Sequence, residues 1–481
     1  MDGPVPELTD RAVACAERLR AADEVVLASH IDADGLTSAA IASTALRRAD
    51  LPFEVVFYDQ LDEEGIQEIA ASDYETALFT DFGSGQLAEI VAHAEGSFTP
   101  IIADHHQPAA IDDPWPTADG DSVQPPEGGY HLNPLLFGID GASELSGAGA
   151  AYVLARALEA DDDNRDLAQL AVVGAVGDMQ ATGGELVGPN AAIAAEGEAA
   201  GVLSTGTGLA LYGKQTRPLP KLLEYASEVR IPGITNDETG TVRFLDDLDL
   251  DLRADGEWRR WVDLADAERQ AVVGGLIRRA VDRGVPARKV ERLVGTTYTL
   301  TEEELGTALR DASEFSTLLN ATARYERADV GLAVCLGDRD GALDRARTLL
   351  SNHRRNLSTG LQRVKSQGVT HEEHVQWFDA GEEIRPTIVG IVAGMELGTD
   401  GIERDRPILA FAADGDDLKV SARGTGALVR RGLDLSAVMA EASRAVGGDG
   451  GGHDVAAGAT IPGDRKEAFV AEADAIVGEQ L

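Results

Sequence analysis

At 481 residues with 43% hydrophobic content, the chain is long enough for roughly two to four domains and too apolar for wholesale disorder. A net charge of −41 and a pI near 4.4 point to an acidic, solvated surface suited to high salt. They do not exclude an anionic partner, because a local basic groove or bound cations can reverse the field. No apolar run reaches the roughly 18 to 20 residues of a membrane helix, the N-terminus carries no leader signal, and Cys15 and Cys335 form neither a disulfide framework nor a metal-ligand spacing; a cytoplasmic protein with no membrane partner is expected.

In chain order, a buried strand is expected at 23–29, "DEVVLAS", then a helix from about Leu36 to Arg48. A second strand, "FEVVFY" at 53–58, precedes a helix at 62–71. A third, "TALFTDF" at 76–82, precedes a helix at 84–94, and a fourth, "FTPIIAD", runs over 98–104. Short β runs alternating with helices of about ten residues predict an α/β fold with a doubly wound parallel sheet. Helices follow at about 146–160 and 165–177. From about 206 to 370 strand signals thin out and amphipathic helices dominate. Trp258 and Trp261 there are expected to pack rather than to stack on bases, and His371 and His374 to begin a solvated helix. Strands return after about 383, at 386–395, 406–424 and 452–462, with helices near 434–446 and 465–478. They predict a smaller C-terminal α/β domain.

The early strands end on carboxylates. "SHIDADG" offers His30, Asp32 and Asp34; "TDFGSG" offers Asp81; "ADHHQP" offers Asp104, His105 and His106; and the apolar stretch "AVVGAVGDMQ" ends in Asp178. Consecutive parallel strands end on one edge of a doubly wound sheet, where ligands bind, so these groups should converge. Several carboxylates on one edge repel unless cations lie between them, and oxygen ligands with a few imidazoles suit manganese or magnesium. A pair of such ions sharing a carboxylate catalyses phosphoester hydrolysis. The competing reading, that each Asp merely caps the next helix, is hard to hold for all of these sites at once.

"HIDADG", "TDFG", "ADHH" and "VGD" resemble the four motifs of the DHH phosphoesterases, a superfamily that includes RecJ exonucleases, oligoribonucleases and nano-RNases, and family II pyrophosphatases. "GGGHDVAAGATI" (450–461) and "VSARGTG" (420–426) are similar to signatures of the DHHA1 domain, and "EFSTLLNATAR" (314–324) to a segment of archaeal RecJ-like proteins. The resemblance implies a DHH catalytic domain over 1–205, a largely helical insert over 206–375 and a DHHA1 substrate-binding domain over 376–481. It implies that His30, Asp32 and Asp81 bind one divalent metal, and that Asp34, Asp81, His105 and Asp178 bind a second, with Asp81 bridging. His106 would contact the scissile phosphate while Asp104 supports the histidines. Ser421, Arg423, Gly451, Gly452 and His453 would grip the substrate.

The expected activity is that of a two-metal phosphodiesterase, a RecJ-like exonuclease on single-stranded DNA or RNA. Manganese is the expected ion and magnesium the alternative. Hydrolysis of very short RNA or of cyclic dinucleotides would use the same motifs. A different class of function is a replisome scaffold that binds helicase-associated factors such as GINS.

Overall fold

Alternating apolar runs and helices in the first two hundred residues build one parallel sheet. Its strands are β1 (Val25–His30), β2 (Phe53–Tyr58), β3 (Thr76–Thr80), β4 (Thr99–Ala103) and β5 (His131–Leu132), in the order β2-β1-β3-β4-β5. The computed structural model describes residues 3–481 apart from 112–113, 119–124, 160–162, 182–183, 227 and 400. Every residue of β3 and β4 is buried, so these strands read as continuous apolar runs, as strands covered on both faces must. Strand order reverses between β1 and β3, which opens a crevice at their carboxyl ends.

Among the described residues, the helices of this region include α1 (Thr9–Arg20), α2 (Ala33–Arg48), α3 (Glu63–Ala70), α4 (Leu87–Ala94), α5 (Gly147–Ala157), α6 (Ala168–Gly177) and α7 (Gly188–Ala199). The end expected for α5, position 160, lies outside the described residues. α2 starts three residues earlier than the apolar pattern suggests. Asp32 supplies an N-cap, so Ala33 and Asp34 belong to the first helical turn. Alanine and glycine on α2, α5 and α6 let these three helices pack closely and bury most of α2.

The middle of the chain is less helical than its pattern suggests. Leu203–Leu209 pairs antiparallel with Val294–Leu300 along seven residue pairs, and a short hairpin joins Arg253–Ala254 to Glu257–Trp258. "LSTGTGL" and "VGTTYTL" carry too few apolar residues to stand out as strands. In the first only Leu203 and Leu209 are buried, and in the second only Tyr298 and Leu300. Trp261 packs in the core of this region with Leu264, Val272 and Leu276.

The chain forms two compact units, Met1–Ala346 and Arg347–Leu481, with the boundary inside the helix Gly341–Gln367. The second unit holds a six-stranded sheet in the order 370–371, 376–379, 408–414, 417–423, 456–462, 449–452. Two expectations fail here. His371 lies on a short strand and not at a helix start. "PTIVGIVAGM" is also no strand: Pro386–Glu396 is a helix. Pro386 occupies the first helical turn, where no amide hydrogen bond is lost. Ile388, Val389, Val392 and Ala393 are buried, so its apolar sequence mimics a buried strand.

Candidate metal centre

Each early strand delivers a polar group to the same edge of the sheet. β1 ends at His30, and Asp32 follows with its Oδ1 accepting from the Gly35 amide at 3.0 Å. Asp34, on the first turn of α2, accepts from the Gly147 and Ala148 amides at 2.7 and 3.1 Å. These are the opening amides of α5, whose dipole favours a carboxylate there. Asp81, just past β3, sits in the left-handed region at φ +60°. A Cβ on Gly147 would lie 2.3 Å from Asp81 Oδ1, and one on Gly174 would lie 2.4 Å from Asp34 Oδ1. The two carboxylates therefore reach α5 and α6 only because side chains are missing there.

His30 Nδ1 lies 3.3 Å from Asp32 Oδ1 and 3.5 Å from Asp81 Oδ2. His105 Nε2 lies 3.3 Å from Asp81 Oδ1, 3.7 Å from Asp34 Oδ2 and 3.8 Å from Asp178 Oδ2. Asp81 is common to both groups and turns one oxygen to each imidazole. His105 Nδ1 lies 2.6 Å from the Gly141 carbonyl, which can only accept, so Nδ1 carries a proton and Nε2 is the ring nitrogen turned to the carboxylates. The site grades from a buried wall of Asp34, Asp81 and His105 to an open mouth, where His106 is 56% exposed.

Asp104 has a different task. It is fully buried, and its oxygens accept from the Ser84, His105 and His106 amides at 3.0, 2.7 and 3.2 Å and from His106 Nδ1 at 2.8 Å. It orients the two histidines, whose rings lie 4.3 Å apart between centroids and are tilted by 53°.

The titration behaviour follows from crowding. Burial first, then repulsion from Asp81 and Asp178, pushes Asp34 well above the usual carboxylate range, and burial raises Asp178. Burial also works to raise Asp81, but the nearby imidazoles of His105 and His30 outweigh it and hold Asp81 below that range. Burial opposes the His30 charge, yet Asp32 and Asp81 push its pKa up to about 11. The same contest, with Asp81 and Asp34, raises His105. His106 is raised mainly by Asp104.

Divalent cations fit this donor set. Asp81 Oδ1 is buried and finds no hydrogen-bond donor among the described residues, because His105 Nε2 approaches it without hydrogen-bond geometry. His30, Asp32 and Asp81 could hold one ion, and Asp34, His105 and Asp178 another, since the ligand atoms of each group lie within 4.8 Å of one another. Carboxylate oxygens with two imidazoles and no thiolate match manganese or magnesium better than thiolate-seeking metals.

Residues 211–294 match the DHH-CID domain and residues 372–479 the DHHA1 domain. The chain is 30% identical over 456 residues to the uncharacterized protein MJ0831 of Methanocaldococcus jannaschii, spanning 94% of this chain and 93% of that one. The chain belongs to the DHH/DHHA1 family. Its α/β fold is similar to that of RecJ from Thermus thermophilus in complex with Mn2+, with TM-score 0.58 and 19% identity over 99% of this chain and 55% of RecJ. The chain thus spans about half the length of that RecJ. It is also similar to CDC45 from Entamoeba histolytica, with TM-score 0.66 and 11% identity over 98% of each chain.

Within the DHHA1 region, the strand Ala456–Pro462 lies between Asp417–Arg423 and Asp449–Gly452, so Ser421 and Gly451 both sit opposite Gly458. Arg423 crosses the face of the helix Pro386–Glu396. A Cβ on Gly390 would lie 2.5 Å from its Nη2, so that glycine makes room for the guanidinium. His453 is exposed, and its amide donates to the Ala456 carbonyl at 2.9 Å.

Sequence reasoning missed the residues that support the metal-centre groups. Gln180 donates to Asp178 Oδ2 at 2.8 Å and to the Gly141 carbonyl at 2.9 Å, and Asn190 holds Gln180 at 2.7 Å. Asn320, on the helix Ala312–Ala323, accepts from the Ala33 amide at 3.0 Å, between Asp32 and Asp34. Gln180 carried a signal, its place two residues after Asp178, and Asn320 falls within the segment "EFSTLLNATAR". Asn320 is 287 positions from its partner.

Proposed function

We propose that this DHH/DHHA1 phosphoesterase family member is a RecJ-like exonuclease, a metal-dependent phosphodiesterase that removes nucleotides from single-stranded nucleic acid. The observation that carries the reading is the shared carboxylate Asp81, which stands between the imidazoles of His30 and His105 with further acidic donors around it. His30, Asp32 and Asp81 would hold one cation. Asp34, Asp81, His105 and Asp178 would hold the other. Held there, two divalent ions, manganese or magnesium, would supply Lewis acidity for a phosphoryl group and for a water molecule.

The rest is work for the chain's own groups. Asp104 fixes His106 by Nδ1, leaving Nε2 at the exposed mouth to donate to a phosphate oxygen as charge develops on it. Gln180 keeps Asp178 in place, and Gly141 fixes the tautomer of His105. Residues 1–205 would form the catalytic domain, 206–375 a connector and 376–481 a substrate-binding domain. In the last, Ser421, Arg423, the amides of Gly451 and Gly452, and His453 would bind an anionic substrate.

A length series of 5′- and 3′-labelled single-stranded DNA and RNA, with manganese, tests the proposal. Stepwise shortening of long single strands is expected. Cleavage confined to dinucleotides and cyclic dinucleotides would replace it with the short-substrate reading. A scaffold reading is favoured by the fold shared with CDC45 over 98% of both chains. Retention of GINS-like factors in a pulldown, together with no hydrolysis of any member of the series, would establish the scaffold and sink the enzyme.

A further inference from the structure

A cavity of about 700 Å³ lies within the first unit, away from the carboxylate edge. Its floor is the strand pair Leu203–Leu209 and Val294–Leu300, which contributes Thr207 and Thr299. One wall is a stripe of the helix Asp266–Asp282 that includes Gln270, Val273, Gly274 and Ile277. The volume is in the range of sites for small molecules. Val294, 36% exposed, stands at the end of the strand pair far from Asp311 and adds to the apolar helix stripe, while Leu305, 56% exposed, adjoins Gly306.

The other end is built for an anion. Lys214 is nine-tenths buried, and its ammonium pairs with Asp311 at 3.1 Å. That carboxylate is already engaged by the Ser313 and Glu314 amides at the start of the next helix. Gln215 is 6% exposed; its Oε1 accepts from the Gly306 amide, so its amide nitrogen remains to donate. Arg310 uses Nη1 on two backbone carbonyls, which leaves its Nε and Nη2 donors. The lining holds three cations, Lys214, Arg269 and Arg310, against two carboxylates, Asp266 and Asp311, a net positive pocket in a chain of net charge −41. Lys214 pairs with Asp311 and Arg269 with Asp266, so Arg310 is the charge left for an anion, which suits one phosphate better than a polyphosphate.

We propose that this cavity binds a nucleoside monophosphate. The phosphate lies against Lys214, Gln215 and Arg310. The base lies against the stripe Val273–Gly274–Ile277, with Gln270 available to its polar edge.

Binding of adenosine 5′-monophosphate, adenosine and inorganic phosphate to the full chain, with manganese, is measured by calorimetry. The monophosphate is expected to bind at least tenfold more tightly than either fragment. Gly274→Leu should abolish this binding. The new side chain enters the cavity, its Cβ meets only the flexible end of Arg278, at 3.4 Å, and replacing a mid-helix glycine favours the helix. Lys214→Met should weaken binding at least tenfold. Asp81→Asn, which disables the carboxylate edge, should leave it intact. Three results would overturn the proposal: no monophosphate binding, binding that persists in Gly274→Leu, or binding lost in Asp81→Asn. Phosphate binding as tightly as the nucleotide would also overturn it, as the mark of an adventitious ion only.

Discussion

Replacing Asp81 by Asn removes one charge and changes almost nothing else, which makes it the sharpest probe of the metal centre. Asn tolerates the left-handed backbone that Asp81 adopts at φ +60°. Two electrostatic effects then oppose each other in the metal-free protein. His30 and His105 lose their buried partner, while Asp34 is relieved of repulsion from Asp81. Stability without metal should therefore shift by less than about 1 kcal/mol. With metal the balance is one-sided, because among the described residues Asp81 is the one carboxylate that faces both imidazoles. Groups that merely support a ligand are worth 10- to 100-fold in metal affinity, so losing a shared ligand should cost at least about 100-fold. At manganese far above the dissociation constant, that loss removes about 2.7 kcal/mol of metal-linked stability. For a unit of this size it lowers the manganese-induced rise in Tm by roughly 4 °C. Calorimetric scans of both proteins with and without manganese, with a manganese titration and a hydrolysis assay, measure every term. Normal manganese stoichiometry and turnover in Asp81→Asn would refute the shared-carboxylate reasoning.

The two adjacent histidines should separate in function: His105→Ala should lose manganese affinity, whereas His106→Ala should keep its metal and hydrolyse slowly, and rescue of His106→Ala alone by excess manganese would reverse the assignment. His131 is buried against Ser84, and burial pushes its pKa down to about 4, so it is neutral when folded. Its contribution is complete above the unfolded pKa near 6.5 and is lost as pH falls from there toward 4, by at most about 3 kcal/mol. Urea unfolding of the wild type and of His131→Gln at pH 7.5 and 4.5 should show a steeper acid loss in the wild type; equal losses would contradict it. Arg423→Ala and His453→Ala should each weaken substrate binding by roughly 1 to 3 kcal/mol without loss of bound manganese, and Arg423→Ala should flatten the salt dependence of binding. A drop in manganese content with unchanged substrate affinity would show that these residues serve the metal instead.

The parallel sheet and its charged edge were legible in the sequence, because both are local signals. An apolar run of five or six residues that stops at Asp or His marks the strand and its end together, and parallel strands stop on one side. His30, Asp32, Asp34, Asp81, His105 and Asp178 could therefore be gathered on one edge before any distance was known. Tertiary structure decided what local pattern leaves degenerate. "PTIVGIVAGM" is apolar all round, so its periodicity suits a buried strand as well as a buried helix, and packing against Ile408 and Ala410 settles it as helix. "LSTGTGL" and "VGTTYTL" are weak strands singly and become a pair only because partners 85 to 97 positions away complete their hydrogen bonds. The division of labour within "DHH" was decided the same way. Asp104 and His105 are neighbours in sequence, but Asp104 turns inward to three amides and the His106 ring, while His105 turns to Asp34, Asp81 and Asp178. No sequence spacing records which way a side chain turns at a strand end. That depends on which amides and carbonyls, here those of Ser84 and Gly141, the rest of the fold brings within reach.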